Sequence, residues 1–446
     1  MNKMNFTFPL FLFLYFIIST LTYPQLMRKG PYLIFNGNEN EMQVLWQTYS
    51  TDTCQIDWGI DTLYNLGSTQ SYEYGTSHQH TYTLTNLIPA TKYYYRVSVN
   101  QEVHTGTFNS ALDTNATSLN FFAYGDTRSN PGTHNQVAAS MIAEYNNDPD
   151  LQSLIISVGD LVSNGDGESY WDNEFFDPSY QNIQEMLATV PYQSCIGNHE
   201  GSGVLFQKYF PYPFVSGRYW SFDYGPAHFV VVDQYTSYTP GSAQLTWLQN
   251  DLASTNKPWK FIYLHEPGWS AGGHSNNTSV QNYIQPLCLQ YNVPILFAGH
   301  NHYYARAVVN NIQHITTGGG GAPLYSPDPG YPNIVASAMA NHFCTIKIND
   351  QILHFTAVKP TGEIIDSFTI VNSLVNVNTE KNQIAAQDYF LSNAYPNPFN
   401  PTTNIGFRIA DLPDGKAGFG FVSIKVFDVL GNEVATLVNE NKPAGN

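Results

Sequence analysis

The chain has 446 residues, with 18 basic and 35 acidic side chains and a formal net charge of −17. This length is too great for one ordinary core and predicts two or three domains. The acidic balance leaves no basic surface that could neutralise a nucleic-acid backbone, so we expect no nucleic-acid partner. An acidic protein that handles phosphate must supply positive charge locally, and bound metal ions are the obvious source.

Residues 1–24 have the parts of a signal peptide. Lys3 gives a positive start, the apolar run from Phe6 to Ile18 is too short to span a membrane comfortably, and polar residues follow. We therefore expect export to a secreted or cell-surface location, with no integral membrane segment after cleavage. An exported chain permits disulfides, but the four cysteines lie in apolar runs without C-x-x-C spacing, which favours buried free thiols. They are Cys54, Cys195, Cys288 and Cys344.

Residues 25–112 show short runs of alternating apolar and polar residues separated by Gly, Asn and Pro. This pattern predicts an all-β sandwich. Residues 87–97 resemble the corner motif of fibronectin type III-like domains, in which a tyrosine closes the sandwich. The resemblance implies a fold and no chemistry.

Residues 113–371 change pattern after a Thr- and Asn-rich joint. Strand-like apolar runs occur at 119–124, 154–158, 260–264 and 295–298, and helical stretches at 135–145, 243–252 and 280–290. Strands that are apolar throughout and alternate with helices predict an α/β domain whose sheet is covered on both faces.

Five strand-like runs of this region each end in a side chain that can bind a metal ion. They end at Asp126, Asp160, Asn198, His265 and His300. Ligands in α/β folds collect at the carboxyl ends of strands, so these five would converge on one crevice if the strands share a sheet. A glycine precedes four of them and lets the backbone turn sharply beside a bulky site.

A sixth candidate ligand, His302, lies two residues after His300. If the segment is extended, both imidazoles project to one face while Asn301 points away. Two metal ions about 3.5 to 4 Å apart could each take one of these histidines.

Two aspartates, three histidines and one amide oxygen form a mixed donor set suited to Fe, Mn or Zn, and the absence of thiolates argues against a structural zinc site. Asp126 and Asp160 supply two negative charges against four or five on two metal ions. The surplus can bind a phosphate dianion and hold a bridging hydroxide, which is a strong nucleophile near neutral pH. The predicted chemistry is in-line attack on the phosphorus of a phosphorylated small molecule.

These blocks, G-D, G-D, G-N-H-E, an apolar triplet ending in His, and G-H-x-H, resemble the calcineurin-like metallophosphoesterases in the order that family shows. With a β-sandwich in front, the resemblance is closest to the purple acid phosphatases, and it implies a four-layer sandwich. It further implies a first metal position held by Asp126 and His302, a second held by Asn198, His265 and His300, and Asp160 bridging both. His199 and His274 match histidines outside the ligand shell that contact phosphate or protonate the leaving group.

The first metal position departs from both families at two residues. Ser163 stands where purple acid phosphatases have a tyrosine that ligates ferric iron, and Arg128 stands where other calcineurin-like enzymes have a ligating histidine. We therefore expect no purple charge-transfer band and leave the metal identity open. Arg128 cannot ligate a cation, but its fork could hold a phosphate oxygen.

Residues 372–388 are polar and predict a linker. Beyond them, the string Y-P-N-P-F-N-P-T-T at 395–403 closely resembles the C-terminal sorting domain of type IX secretion cargo, which implies the type IX machinery as a partner. That family's domain runs on through further strands to a basic end, whereas this sequence stops at Asn446. We therefore predict a truncated sorting domain at 389–446.

The predicted function is extracellular hydrolysis of phosphate monoesters by an acid phosphatase-like enzyme. A phosphodiesterase or nucleotide phosphatase is the alternative within the class, and a surface-displayed binding protein with a structural metal core is the alternative outside it. The Gly318–Gly321 run lacks a lysine and a following helix signal, which favours close backbone packing near the site over a phosphate-binding loop.

Overall fold

The computed structural model describes residues 25–51, 53–372, 390–391, 407–408, 419–427 and 433–443. Chain contacts divide the protein into two units, Met1–Val375 and Asn376–Asn446. The predicted signal peptide, nearly all of the predicted linker and most of the predicted sorting domain lie outside the described residues. Within those residues, no helix is both long and apolar enough to cross a membrane.

The N-terminal part of the first unit is a sandwich of two four-stranded antiparallel sheets, ordered β1-β2-β6-β5 and β4-β3-β7-β8. The strands are β1 (Met27–Ile34), β2 (Met42–Thr48), β3 (Cys54–Gly59), β4 (Gly67–Ser71), β5 (Glu73–Tyr74), β6 (Gln79–Leu84), β7 (Lys92–Val99) and β8 (Glu102–Asn109). The inner faces bury Trp46, Ile56 and Val97 in one core. The Tyr93 hydroxyl accepts a hydrogen bond from the Ile88 amide at 2.9 Å, which is the contact that the tyrosine corner predicts.

The larger part of the unit contains a six-stranded and a seven-stranded sheet. The strands are β9 (Ser118–Tyr124), β10 (Ile155–Ser157), β11 (Tyr192–Ser194), β12 (Trp220–Tyr224), β13 (Ala227–Val231), β14 (Trp259–Tyr263), β15 (Ile295–Ala298), β16 (Tyr304–Val309), β17 (Ile312–Thr317), β18 (Ile334–Ala338), β19 (Phe343–Asn349), β20 (Ile352–Val358) and β21 (Ile364–Val371). The sheet orders are β11-β10-β9-β19-β20-β21 and β12-β13-β14-β15-β17-β16-β18. Strands β9 to β11 are parallel, and so are β13, β14, β15 and β17.

Helices cover the outer faces of the two sheets. The α-helices are α1 (Pro131–Asn147), α2 (Glu168–Tyr170), α3 (Gln181–Leu187), α4 (Val204–Tyr209), α5 (Ala243–Ser254) and α6 (Gln285–Tyr291), with π-helical turns at Trp171–Phe175 and Val280–Ile284 and 3₁₀ turns at Pro149–Gln152 and Asn198–Glu200. The sheets face each other, because the Phe121 ring lies 5.2 Å from Phe229 and 5.4 Å from Phe261. Tyr124 points the opposite way along β9, and its hydroxyl hydrogen-bonds His134 of α1 at 2.9 Å. Helices α5 and α6 pack on the far side of β13 to β15. The predicted four-layer sandwich is confirmed.

The five strand ends converge although they do not share one sheet, which was the condition given for their convergence. Strands β9, β10 and β11 belong to the six-stranded sheet, whereas β14 and β15 belong to the seven-stranded one. The ends still meet, because the sheets pack face to face and present their carboxyl ends at one edge. All four cysteines are buried, as predicted, and Cys195, Cys288 and Cys344 are free thiols.

The second unit contains two strand pairs among its described residues. Phe390–Leu391 pairs with Phe407–Arg408, and Phe419–Phe427 pairs with Glu433–Pro443, both antiparallel.

Candidate metal centre

The structure brings all six predicted ligands together, with Asp160 between the other five. Its Oδ1 lies 3.3 Å from Nε2 of His265, on the side of the second position. Its Oδ2 lies 3.3 Å from Nε of Arg128, on the side of the first position. The geometry is therefore that of a carboxylate able to bridge two cations.

At the second position, an amide oxygen faces two imidazoles. Oδ1 of Asn198 lies 3.0 Å from Nε2 of His265 and 3.0 Å from Nδ1 of His300. His265 is fully buried, while Asn198 is exposed and His300 is half-buried. This position therefore opens towards solvent on one side only.

At the first position, ligand atoms of Asp126, Asp160 and His302 all lie within 4.8 Å of one another. Oδ1 of Asp126 is 3.6 Å from Nε2 of His302, and all three residues are buried. Three donor atoms at this spacing fit a metal ion.

Three histidines of the centre have one ring nitrogen fixed by a backbone carbonyl. Nδ1 of His265 lies 2.7 Å from the Val158 oxygen, and Nδ1 of His302 lies 2.7 Å from the Pro323 oxygen. Nδ1 of His199 is similarly 2.8 Å from a carbonyl, that of Ser163. A carbonyl can only accept, so each Nδ1 carries the proton and Nε2 is the nitrogen that faces the carboxylates. This is the arrangement in which protein histidines bind metals.

Left-handed backbone occurs at three predicted ligands. The φ angles are +55° at Asp126, +56° at Asp160 and +67° at His300. Residues with a side chain rarely adopt this region, and such strain clusters at functional sites. The prediction that residues 299–302 form an extended segment was wrong, because the chain bends there; Asn301 still points away from the ligands, as expected.

Glycines beside the ligands are required mainly for space. A Cβ on Gly197 would collide with Asp160, and a Cβ on Gly299 with Asp126. Only Gly159 has the positive φ, +89°, that a sharp turn needs. The Gly318–Gly321 run packs its backbone against the loop after β9 and leaves no room for side chains, as predicted.

Burial and neighbouring charges shift the pKa values of the titratable groups at the centre. Burial raises the pKa of Asp126 to about 8. Burial alone would lower the pKa of His265, but the carboxylates of Asp160 and Asp126 raise it to about 10. In turn, His265 and then His199 outweigh burial and hold the pKa of Asp160 below its usual range. Two buried carboxylates among imidazoles fit a site that takes metal ions.

The three residues expected outside the ligand shell lie at the centre. The His199 ring is half-buried and its Nε2 lies 3.9 Å from Asp160. The exposed His274 ring stacks on His300 at 3.9 Å between centroids. Arg128 contacts two predicted ligands, Asp160 and His302, and also donates a hydrogen bond to the Ser129 hydroxyl.

Sequence reasoning assigned no role to several residues that position the ligands. Glu200 is buried and accepts hydrogen bonds from the amides of Asp160, Leu161 and Gly197 at 2.7 to 3.0 Å. Burial and the charge of Asp160 raise the pKa of Glu200 to about 7. The only sequence signal for Glu200 is its place in the G-N-H-E block, directly after His199.

Two further positioning residues carry no sequence signal. Oε1 of Gln234 accepts a hydrogen bond from the His265 amide at 2.9 Å. Oδ1 of Asn301 accepts the His274 amide at 2.7 Å and thereby holds that loop beside the centre.

Comparison with known proteins identifies two parts of the chain. Residues 121–304 match the family described as calcineurin-like phosphoesterase, and residues 29–111 match the purple acid phosphatase N-terminal domain. A soybean purple acid phosphatase is 25% identical over 275 residues, covering 57% of this chain and 58% of the relative. Purple acid phosphatase 23 of Arabidopsis thaliana is 31% identical over 206 residues, covering 38% and 44%. The chain thus spans about half the length of these curated relatives.

Among solved structures, a purple acid phosphatase from yellow lupin seeds superposes with a TM-score of 0.63 at 20% identity, covering 77% of this chain and 74% of that one. This likeness shows the fold. Together with the sequence matches, it establishes that the chain joins a purple acid phosphatase N-terminal domain to a calcineurin-like metallophosphoesterase domain, and that its relatives are purple acid phosphatases.

Proposed function

We propose that this protein hydrolyses phosphate monoesters at a centre of two metal ions held by the six side chains described above. The observation that carries the proposal is the convergence of carbonyl-fixed histidines, led by His265 and His302, on the buried carboxylates of Asp126 and Asp160. When bound, two metal ions supply a water molecule of lowered pKa and a cationic seat for phosphate. The family's dinuclear centre supports the same assignment.

The exposed side of the centre gives the substrate its direction of approach. Asn198 and His274 are exposed, and His199 and His300 are half-buried, whereas the other ligands are buried. A phosphate that enters here reaches His199 and His274 before the buried carboxylates. We assign these two histidines to phosphate binding and to protonation of the leaving group.

The first experiment compares an aryl phosphate with its bis-aryl diester, using protein reconstituted with Fe, Mn or Zn. We expect faster hydrolysis of the monoester and loss of activity on chelation. Faster hydrolysis of the diester would favour the phosphodiesterase alternative. Stoichiometric metal without any turnover would favour a non-catalytic binding protein.

Leaving-group dependence tests the two histidines. His199→Ala and His274→Ala should lower kcat by about 10²- to 10⁴-fold for an alkyl phosphate if the residue is the general acid. The effect should be much smaller for an aryl phosphate, whose leaving group needs no proton. Exposed His354, which contacts Thr369, provides the control variant His354→Ala. Equal losses on both substrates would contradict the general-acid role.

Metal identity is addressed by elemental analysis together with a visible spectrum. Ser163 occupies the position of the purple ligand, and its hydroxyl contacts Ser129 and Glu174. We therefore expect no charge-transfer band even in the iron-loaded protein. A purple band would require another phenolate donor.

We also propose export, supported by the signal-like residues 1–24 and by the sorting-domain string at 395–403. Deletion of 1–24 should retain the protein in the cytoplasm. A fluorescent protein that carries residues 1–24 at its N-terminus and 389–446 at its C-terminus should reach the cell surface only in a bacterium with type IX machinery, and not in an isogenic strain without it. Delivery failing in both strains would mean that this segment is insufficient for sorting.

A further inference from the structure

The guanidinium group of Arg128 lies inside the first metal position. Its Nε donates to Oδ2 of Asp160 at 3.3 Å, and its Nη2 lies 3.3 Å from Nε2 of His302. Its Nη1 donates to the Ser129 hydroxyl at 3.1 Å. The side chain is only 14% exposed, so this cation is held within the centre rather than at its rim.

Arg128 uses the same ligand atoms that a metal ion would use. Nε2 of His302 must act as the acceptor, because Nδ1 of that ring donates to the Pro323 carbonyl. Guanidinium nitrogens only donate and stay protonated. Two of the three ligand residues of this position, Asp160 and His302, therefore have a ligand atom directed at Arg128, and the third is Asp126.

A hydrogen-bonded support holds the arginine in place. The Ser129 and Ser163 hydroxyls lie 2.9 Å apart, and Glu174 accepts the amides of both residues at 2.8 to 2.9 Å as well as the Ser163 hydroxyl at 3.0 Å. Ser163 is the residue that stands where a ligand tyrosine is expected. The two departures of the first position, Ser163 and Arg128, are thus parts of one connected arrangement.

The second position has no comparable competitor. In the part of the chain that the structure describes, Asn198, His265 and His300 form no hydrogen bond with a lysine or arginine. A metal ion there needs no cationic side chain to leave first. The same metal ion therefore meets a competing cation at the first position and not at the second.

We propose that Arg128 competes with the metal ion at the first position, so that the two positions fill at separate metal concentrations. The second position binds first, and the first position binds only after the guanidinium leaves Asp160 and His302. This inference rests on the ligand assignment of the proposed function. It assigns to Arg128 control of metal occupancy in addition to any contact with phosphate.

The test is equilibrium dialysis of the full chain against buffered Mn²⁺, with metal content measured by elemental analysis. The wild-type protein should take up one equivalent tightly and a second at a free concentration at least a hundredfold higher. Arg128→Ala should shift the second step at least tenfold lower and leave the first step within about threefold. Arg96→Ala, which breaks the Asp57 pair in the sandwich, is the matched control and should change neither step.

A second variant guards against misfolding of Arg128→Ala. Ser129→Ala removes the Nη1 contact together with the contact between the Ser129 and Ser163 hydroxyls, and it should shift the second step in the same direction by a smaller factor. Simultaneous filling of both positions in the wild type, or an unchanged second step in both variants, would overturn the proposal. Stepwise filling without phosphate release would instead contradict the proposed function and leave the role of Arg128 standing.

Discussion

The two metal positions are built from similar donors but on different supports. The second position pairs neutral donors, Asn198 and His300, with the buried His265, and Oδ1 of Asn198 lies 3.0 Å from a ring nitrogen of each histidine. The first position places Asp126 and His302 beside a fixed guanidinium. The difference suggests a general rule: a ligand set alone does not determine metal affinity when a cationic side chain competes for the same lone pairs.

The largest effect is expected where the two positions meet. Asp160→Ala removes the carboxylate that faces both positions, and we expect kcat on an aryl phosphate to fall by at least ~10³-fold. Asp61→Ala, an exposed aspartate of the sandwich, is the control and should keep full activity. Full activity in Asp160→Ala would refute the two-metal assignment.

Substituting one ligand at a time should show that the two positions bind metal with different affinities. His265→Ala should abolish tight metal binding, because it removes the buried ligand of the second position. His302→Ala should still bind one equivalent tightly, because only the first position loses a ligand. The metal content of each variant after gel filtration measures how many equivalents remain bound. An equal loss of metal in the two variants would contradict the proposed difference between the positions.

Substitution of Glu200 or Glu174, which position the ligands without binding metal, should also affect the two metal-binding steps separately, but by smaller factors. Glu200→Gln weakens the hydrogen bonds that the Asp160 and Gly197 amides donate to this side chain. We expect the affinity for the more tightly bound metal ion to fall by about 10- to 100-fold. Glu174→Gln loosens the support under Ser129 and Ser163 and should change only the weaker step. Metal titration of both variants against Glu39→Gln, a half-buried control between β1 and β2, checks this expectation. A shift of the tight step in Glu174→Gln would contradict it.

The smallest effect concerns a histidine held by two carboxylates away from the centre. His228 is buried, and its two nitrogens lie 2.7 Å from Asp223 and 2.8 Å from Asp251. Burial lowers its pKa, but hydrogen bonds to both carboxylates outweigh burial and raise it above the ordinary value. Its ion pairs therefore stabilise the fold fully below about pH 6.5 and are lost as pH rises through the raised pKa.

We expect His228→Gln to lower the free energy of unfolding by about 1 kcal/mol at pH 5.5, with a smaller loss at pH 9. Urea unfolding at the two pH values measures the difference. Metal content should be unchanged, in contrast with His265→Ala, where the histidine between carboxylates is a ligand. A larger loss at pH 9 than at pH 5.5 would reverse the sign and contradict the assignment.

The sequence by itself predicted the sandwich, the α/β domain and the six candidate ligands. These features leave local signals, because strand ends, preceding glycines and histidine spacing are properties of short segments. Asp126 and Asp160 could be identified from five or six residues each. The departures at Ser163 and Arg128 were visible in the same way.

Only the tertiary structure decided how those departures act. The contact between Arg128 and His302 joins residues 174 positions apart, and Glu174 reaches Ser129 across 45. Hydrogen bonds from ring nitrogens to backbone carbonyls, such as that of His302, depend on a carbonyl that every residue type carries, so no sequence pattern announces them. The division of the ligands between two sheets was hidden for a related reason, since a strand's sequence records its burial but not which sheet it joins.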